Sequence, residues 1–192
     1  MSDDDRDIRE YLNGSMSAFH RLYARYERPL FFYIKSMVRQ HETAEDIFQS
    51  VWQQVITKLP GFGFKGAFHN WLFAIAHHKV IDFMRANLPS VVSLDDRGND
   101  HFNLPVRELI ADPAPDVLRQ LNAKELWQRV LDVVATLPPA QREVFTLRLE
   151  SGLTFKQIAA LQGTSLNTVL GRMHYALTRV RAALKDDEAK TP

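Results

Sequence analysis

The chain has 192 residues, no cysteine, and 24 basic against 23 acidic side chains. The absence of cysteine excludes a disulfide framework, a cysteine zinc site and a cysteine nucleophile. The uncharged stretch of residues 66–78 is too short and too polar to cross a bilayer, and the acidic start is unlike a secretion signal. The composition therefore predicts a folded cytoplasmic protein with one ordinary domain or two small ones.

Charge divides the chain into four segments. Residues 1–88 carry a net charge of +1, residues 89–121 of −3, residues 122–185 of +5 and residues 186–192 of −2. The acidic second segment contains four of the nine prolines and lacks sustained apolar periodicity, so it predicts a linker between two small domains. The short acidic last segment is predicted to be disordered.

Most of the first segment has the apolar spacing of helices. Ser15 or Ser17 can cap a first helix, and Pro29 then predicts either a kink or two abutting helices. Thr43 is predicted to cap the next helix, which buries a stripe from residue 47 to residue 59. The glycine-rich residues 60–66 predict a loop, and residues 68–86 predict a further helix.

The third segment is also predicted to be helical. A first helix stops at two prolines, and Pro139 suits the first turn of a second helix that extends to about Glu150 and buries either Leu147 or Leu149. Thr154 begins a capping box before a short helix, and Ser165 caps the last one. The fold class is therefore all-α, with two small helical domains joined by an extended linker, the C-terminal one a helix-turn-helix.

The last helix has a polar and basic face that suits DNA. Residues 162–185 carry four basic side chains and no acidic one, and Gly163 can take the left-handed conformation of the turn. Arg172 can read a guanine or clamp a phosphate. An ordinary corner between two helices and a solvated helix face are the simpler interpretations. The predicted face comprises Asn167, Thr168, Gly171, Arg172, His174, Tyr175, Thr178 and Arg179.

A second cluster combines aromatic and basic residues between positions 62 and 85. Aromatic side chains beside Lys and Arg suit single-stranded nucleic acid, because bases stack on the rings and cations follow the backbone. Phe68 and Trp71 are equally compatible with core positions. The adjacent His77 and His78 have no third ligand at metal spacing, so neither a metal site nor a cofactor is predicted. No catalytic motif is present, and the chain is predicted not to be an enzyme.

These patterns together resemble the extracytoplasmic-function (ECF) sigma factors of bacterial RNA polymerase, which contain only sigma regions two and four. Each motif alone is of moderate specificity, but all three occur in family order and spacing. The motifs are Phe19-x-x-Leu22-Tyr23-x-x-Tyr26 with Pro29-Leu30; Ala44 to Trp52 with Phe68-x-x-Trp71-Leu72 and Val80-Ile81-Asp82-x-x-Arg85; and Leu137-Pro138-x-x-Gln141-Arg142 with Gly152-Leu153, Ile158-Ala159, Gly163 and Thr168-Val169.

The resemblance implies three binding surfaces. Core RNA polymerase would bind the helix from Thr43 at Asp46, Gln49 and Trp52. The unpaired −10 strand of promoter DNA would bind Phe62, Phe64, Lys65, Phe68, Asn70, Trp71, His78, Lys79 and Arg85. The −35 duplex would bind Lys156, Ser165, Asn167, Thr168, Gly171, Arg172, His174, Tyr175 and Arg179.

By the same resemblance, residues 1–88 are sigma region two and residues 122–185 are sigma region four. An anti-sigma factor is a further implied partner, which would hold the cytoplasmic chain near the membrane without direct insertion of the chain itself. The sequence departs from the family at Leu170, Gly171, Tyr175 and His78, and these changes affect the promoter sequence that is read.

Two other functions fit parts of the sequence. A DNA-binding regulator would use the helix-turn-helix alone, but it would have no need of an aromatic loop or a polymerase-docking helix. A sigma-like protein could act mainly through protein interactions. The N-terminal segment therefore discriminates against the DNA-binding regulator.

Overall fold

The computed structural model describes residues 2–63, 66–87 and 123–188, with side chains from residue 126 to residue 185 in the last range. The chain divides into two compact units, one of Met1–Ser93 with Glu150–Leu153 and one of Leu94–Leu149 with Thr154–Pro192. Every regular element in the described ranges is helical. The predicted all-α fold is confirmed, and the predicted linker at residues 89–121 lies outside the described residues.

The N-terminal unit packs its helices around one core. Its described elements are α1 (Asp3–Leu12), α2 (Met16–Val38), α3 (His41–Lys58), a 3-10 turn (Leu59–Gly61) and α4 (Phe68–Asn87). Large side chains from different helices, among them Ile8, Tyr33 and Phe73, are fully buried. Burial of such apolar surface is the main stabilising contribution to a small domain.

Helix α1 was not predicted from the apolar spacing, because its face to the core is mostly acidic. It begins with a capping box in which the Ser2 hydroxyl accepts from the Asp5 N–H at 3.1 Å and the Asp5 carboxylate accepts from the Ser2 N–H at 3.2 Å. The Ser-x-x-Asp spacing and the run of acidic residues in the first turn are signals for this helix start.

Helix α2 is one helix rather than two. The Ser15 hydroxyl caps it, accepting from the Ala18 N–H at 3.4 Å, and the helix runs on through Pro29. An interior proline costs roughly 3 kcal/mol of helix stability, because it removes a backbone hydrogen bond and clashes with the preceding turn. Complete burial of Leu22 and Leu30 on the same helix offsets that cost through tertiary packing.

Helix α3 begins three residues before the predicted start. Its N-cap is Gln40, whose side chain makes no capping bond. Thr43 lies inside the first turn, where its hydroxyl donates to the Gln40 side chain at 3.1 Å, so the prediction of Thr43 as the cap was wrong. The predicted apolar stripe is confirmed, with Val51 and Val55 fully buried.

The C-terminal unit contains the predicted helix-turn-helix. Its described elements are α5 (Ala123–Thr136), α6 (Pro139–Thr146), a π-helical turn (Leu147–Ser151), α7 (Phe155–Gln162) and α8 (Leu166–Glu188). Leu147 is fully buried whereas Leu149 is 48% exposed, which decides between the two core candidates. Helix α8 continues three residues beyond the predicted boundary at Lys185, and residues 189–192 lie outside the described residues.

Candidate nucleic-acid interface

An aromatic surface lies where the segment after α3 meets the start of α4. The Phe62 and Trp71 rings are 4.5 Å apart between centroids and inclined by 30°. Both side chains are half-buried, so each ring keeps part of its surface in contact with solvent. The 3-10 turn produces this contact, because the Phe62 N–H donates to the Leu59 carbonyl at 3.0 Å and folds the chain back towards α4. The arrangement offers apolar rings on which an unpaired base can stack.

Phe68 lies beneath this surface instead of on it. Its ring is fully buried and contacts Trp71 at 5.9 Å, Phe62 at 6.2 Å and Tyr26 at 5.5 Å. The prediction of Phe68 as a direct DNA contact is therefore corrected. Its position at the start of α4 directs it into the core, where it supports the exposed rings. The predicted contacts Phe64 and Lys65 lie outside the described residues.

Three of the predicted contacts share one face of α4. Trp71, His78 and Arg85 follow one another at intervals of seven residues, close to two helical turns. His78 and Arg85 are exposed. Lys79 points elsewhere, since its ammonium donates to the Ser50 hydroxyl of α3 at 2.7 Å. The face therefore places an aromatic ring, an imidazole and a guanidinium in one line, a suitable arrangement for bases and phosphates.

Asn70 has an unusual side chain within the same region. Its carboxamide oxygen is buried and accepts no hydrogen bond. A buried acceptor without a donor costs about 1–3 kcal/mol. This oxygen is covered by protein atoms, so it is not itself presented to a strand on the surface.

An acidic and arginine-rich cluster attaches α1 to α2 beside this surface. The fully buried carboxylate of Asp7 accepts from Arg21 Nε at 2.9 Å and from Arg25 Nη2 at 2.8 Å. Burial alone would raise the pKa of Asp7, but these hydrogen bonds and charges hold it below its usual value. The sequence analysis missed the cluster, although carboxylates at positions 4, 7 and 10 and arginines at positions 21 and 25 have matching helical spacing.

The helix-turn-helix has the expected turn geometry. Gly163 adopts a φ of 62°, in the left-handed region, and closes α7. The Thr164 N–H donates to the Ala159 carbonyl at 3.0 Å. The next helix begins where the Ser165 hydroxyl accepts from the Thr168 N–H at 3.1 Å. The predicted capping box of α7 is also present, with the Gln157 N–H donating to the Thr154 hydroxyl at 3.3 Å. These caps fix the direction in which α8 leaves the turn.

The predicted DNA face of α8 is mostly accessible. Asn167, Thr178 and Arg179 are exposed, and Tyr175 is 52% exposed. The predicted contacts Lys156 and Ser165 are exposed as well, and Thr168, Arg172 and His174 are half-buried.

Gly171 is a correction to the predicted face. It is buried together with Leu170, so it is not presented to solvent as expected. A glycine presents only its backbone, and here the surrounding atoms cover that backbone. The predicted DNA-binding face of α8 therefore consists of the side chains on either side of Gly171.

A chain of hydrogen bonds links the predicted reader Arg172 to the interior of the unit. Arg172 Nη1 donates to Gln162 Oε1 at 2.8 Å, and Gln162 Nε2 donates to the carboxylate of Glu143 at 2.7 Å. Glu143 is fully buried. The three residues come from α8, α7 and α6, so the network orients a guanidinium at the surface from a carboxylate in the core. Sequence spacing gave no signal for it, because the three positions are far apart along the chain.

The predicted polymerase-docking residues of α3 separate into surface and core. Asp46 and Gln49 are exposed, whereas Trp52 is 5% exposed. The Trp52 ring lies 4.9 Å from Tyr23 and 5.8 Å from Phe19, so it is a core residue and the prediction of a direct contact is corrected. Its indole N–H is buried and unpaired.

An open groove of about 630 Å³ runs between α2 and α3. Its walls combine aromatic rings with charged side chains, and Gln49 lies at its edge. Aromatic and charged walls together suit a protein segment better than a small apolar ligand. The residues that line it include Tyr23, Glu27, Arg28, Phe31, Glu45 and Phe48.

Within the described ranges, no group of three or more His, Cys, Asp or Glu side chains is arranged to hold a metal ion. The surfaces present rings, cations and hydrogen-bond donors. Such groups bind nucleic acid by stacking and by phosphate contacts.

Comparison with protein families identifies both units. Sigma-70 region 2 matches residues 22–88, and Sigma-70 region 4 matches residues 127–184, so the two models cover more than half of the chain. A curated relative, the ECF RNA polymerase sigma factor ShbA of Streptomyces griseus, is 29% identical over 91% of this chain and 92% of its own length. The chain belongs to the ECF sigma factors.

A second relative extends the similarity. The ECF RNA polymerase sigma factor BldN of Streptomyces coelicolor is 29% identical over 92% of this chain, which spans 64% of BldN. ECF sigma factors are regulatory proteins that direct RNA polymerase to promoters, and they are not enzymes. This ECF sigma factor therefore has a role in transcription initiation.

Solved structures agree with the fold. The sigma factor RpoE of Bartonella quintana, determined in complex with the anti-sigma factor NepR, matches with a TM-score of 0.62 and 23% identity over 87% of this chain and 96% of RpoE. CnrH, determined in complex with the cytosolic domain of CnrY, matches with a TM-score of 0.62 and 22% identity over 97% of this chain and 99% of CnrH. None of the described helices of this ECF sigma factor combines the length and the apolar character required to span a bilayer.

Proposed function

We propose that this ECF sigma factor opens promoters through the α4 surface and selects them through α8. The Phe62 and Trp71 rings and the line of Trp71, His78 and Arg85 receive the unpaired −10 strand. The accessible polar face of α8 reads the −35 duplex. The observation that carries the proposal is the contact of Phe62 with Trp71 at 4.5 Å, because it leaves two rings half-exposed above a buried third.

The energetics of strand capture suit this surface. Unstacking a base costs a few kcal/mol. Stacking on an aromatic side chain returns roughly 1–3 kcal/mol per base. Because both rings already pack on the buried Phe68, less of the stacking energy would be lost in ordering them.

The exposed side of α3 and the groove between α2 and α3 form the proposed protein-binding surface. Asp46 and Gln49 would contact core RNA polymerase, as the family resemblance implies. An anti-sigma factor is the second partner proposed for this surface, since the similar RpoE was determined in complex with the anti-sigma factor NepR. Polymerase and anti-sigma factor would then compete for one surface. We place this competition in the bacterial cytoplasm, with the anti-sigma factor holding the chain near the membrane.

The experiment that tests the proposal is run-off transcription with core polymerase and the full chain on a genomic-fragment library from the source organism. Discrete new transcripts that require the chain would support promoter selection, and alignment of their start sites would yield the −10 and −35 sequences. Core binding without transcripts from any fragment would contradict the assignment of the DNA surfaces. Absence of core binding would contradict the assignment of the α3 surface.

A matched pair of variants separates the surfaces. Gln49→Ala changes the exposed side of α3, and Gln128→Ala removes an exposed glutamine from α5. We expect only Gln49→Ala to weaken binding to core polymerase. Equal effects of the two variants would argue against the α3 surface.

A further inference from the structure

Helix α1 makes a contact that the family match does not account for. The match to Sigma-70 region 2 begins at residue 22, whereas α1 ends at Leu12. The Asp5 carboxylate of α1 accepts a hydrogen bond from the backbone N–H of Gly66 at 3.2 Å. Asp5 and Gly66 are 61 positions apart in sequence. The first helix therefore holds the chain directly before α4.

The hydrogen bond between Asp5 and Gly66 lies directly before α4, so it affects how the chain enters that helix. Gly66 has a φ of +65°, a left-handed conformation, and α4 begins two residues later at Phe68. The N–H of a residue in an irregular segment has no helical partner, so a fixed carboxylate determines where it points. Phe62 and Trp71 lie on either side of this point in sequence.

Asp5 is itself firmly held. It is 7% exposed, and its second oxygen accepts from the Ser2 N–H at 3.2 Å. Burial would raise the pKa of Asp5, but hydrogen bonds from Ser2 and Gly66 lower it overall, so the group is ionised at neutral pH. An ionised carboxylate is the stronger acceptor for a backbone N–H.

Helix α1 is also anchored to the core beneath the aromatic surface. Asp7 is bound by Arg21 and Arg25, as described above, and Asp4 accepts from the Tyr26 hydroxyl at 2.5 Å. The Tyr26 ring contacts Phe68 at 5.5 Å. Helix α1 is thus connected to the aromatic surface by two sets of contacts. One is its hydrogen bond to the Gly66 backbone, and the other runs through the Tyr26 and Phe68 rings.

We propose that α1 positions the chain at Gly66, directly before α4, for promoter opening, with Asp5 as the positioning residue. Asp5 touches no DNA in this proposal. Its carboxylate fixes the Gly66 amide, so the Phe62 and Trp71 rings are arranged before the −10 strand arrives. The inference rests on the proposed function of that surface.

The test compares Asp5→Ala with Asp3→Ala in holoenzyme assembled from core polymerase and the full chain. Both variants remove one negative charge from the first turn of α1, but Asp3 is exposed and pairs with the exposed Arg6 at 3.0 Å. The DNA is the fragment that gives the strongest run-off transcript, used as a duplex and with its −10 region already opened by mismatches. Permanganate reactivity of unpaired thymines measures opening.

We expect Asp5→Ala to lower opening of the duplex by about tenfold, the scale of one lost charge-assisted hydrogen bond. The pre-opened fragment should restore its transcription to within about twofold, because the strand no longer has to be captured from a duplex. Asp5→Asn retains one acceptor and should give an intermediate defect. Asp3→Ala should behave as the parent chain.

Several outcomes would overturn the inference. Equal losses on duplex and pre-opened DNA, with a lower unfolding temperature, would make Asp5 a residue of stability alone. Parental opening by Asp5→Ala would remove α1 from the process. Trp71→Ala is measured alongside: if it abolishes opening while Asp5→Ala does not, only the role of α1 fails. If Trp71→Ala opens the duplex normally, the proposed −10 surface itself fails.

Discussion

The two DNA-binding surfaces are built in different ways. The surface of the N-terminal unit is an extension of its core, because the half-buried Trp71 packs on the fully buried Phe68. The surface of the C-terminal unit is a row of polar side chains on one helix, whose buried residues lie on another side. A residue of the first surface therefore serves both stability and binding. A residue of the second can be changed with little effect on folding.

The largest expected effect tests the coupling of binding and stability in the N-terminal unit. Trp71→Ala should lower promoter opening by roughly 100-fold, because a stacking platform is lost. It should also lower the unfolding temperature of the chain, since the ring packs on Phe62 and Phe68. Core binding should be unchanged. Permanganate reactivity and thermal unfolding measure the two effects.

Trp71→Phe is the control, because it keeps a ring and should retain most of the opening activity. Loss of opening without any loss of stability in Trp71→Ala would show that the two roles are separable. That outcome would contradict the comparison of the two surfaces.

The second largest expected effect is on the free energy of unfolding of the chain and not on DNA binding. Asp7→Asn should destabilise the chain by about 2 kcal/mol at neutral pH, because hydrogen bonds to a buried carboxylate are weakened. The pKa of Asp7 is lowered in the folded chain, so its contribution is present above the unfolded value of about 4 and is lost as the pH falls through the folded value. Urea unfolding of the parent chain and of Asp7→Asn at pH 7 and pH 3 measures the contribution of Asp7 to the free energy of unfolding.

The difference in stability between the parent chain and Asp7→Asn should therefore shrink at pH 3. Asp3→Asn, at an exposed position of the same helix, should change stability little at either pH. A difference that stays constant from pH 7 to pH 3 would mean that the Asp7 charge contributes nothing.

A smaller effect tests the independence of the C-terminal surface. Arg172→Ala should weaken binding of the full chain to −35 duplex by about tenfold if the guanidinium contacts a base. Arg181 is exposed and lies nine residues further on, on the opposite side of α8, so Arg181→Ala is a matched control. Fluorescence anisotropy with a labelled duplex measures both. Equal binding by the two variants would move recognition to Asn167, His174 and Tyr175.

The smallest expected effect concerns Gln162, where the difference between the two DNA-binding surfaces is least. Gln162 connects Arg172 to the buried Glu143, so here the C-terminal surface does reach the core. Gln162→Met should reduce binding to −35 duplex about threefold and stability by about 1 kcal/mol, because Arg172 is less well oriented and Glu143 loses one donor. Gln128→Met, at an exposed position of α5, is the control. A loss in binding as large as that of Arg172→Ala would make orientation, rather than charge, the main contribution of the guanidinium.

Local signals predicted those elements whose cause is local. The capping box at Thr154, the turn at Gly163 and the cap at Ser165 depend on residues within a few positions of one another, and each is present. The predicted start of α3 was wrong because the helix begins after Gln40 without a side-chain cap, so no local capping residue marks its start.

Burial was harder to predict than helix position. Trp52 and Phe68 occur in sequence beside polar residues, and only the packing of α2 against α3 and α4 places both rings in the core. The contacts of Asp5 with Gly66 and of Glu143 with Gln162 join distant parts of the chain, so no spacing rule reports them. Tertiary contacts thus explain most of what the sequence analysis missed in the candidate site.

The placement of Trp71 also has an optical consequence. The chain has three tryptophans, and Trp52 is buried whereas Trp127, in the C-terminal unit, is 36% exposed. A base that stacks on the half-exposed indole of Trp71 replaces water at its face, which changes the intensity and wavelength of its emission. In a chain with Trp52→Phe and Trp127→Phe, the native residue at position 71 would report the moment of strand capture without any attached dye.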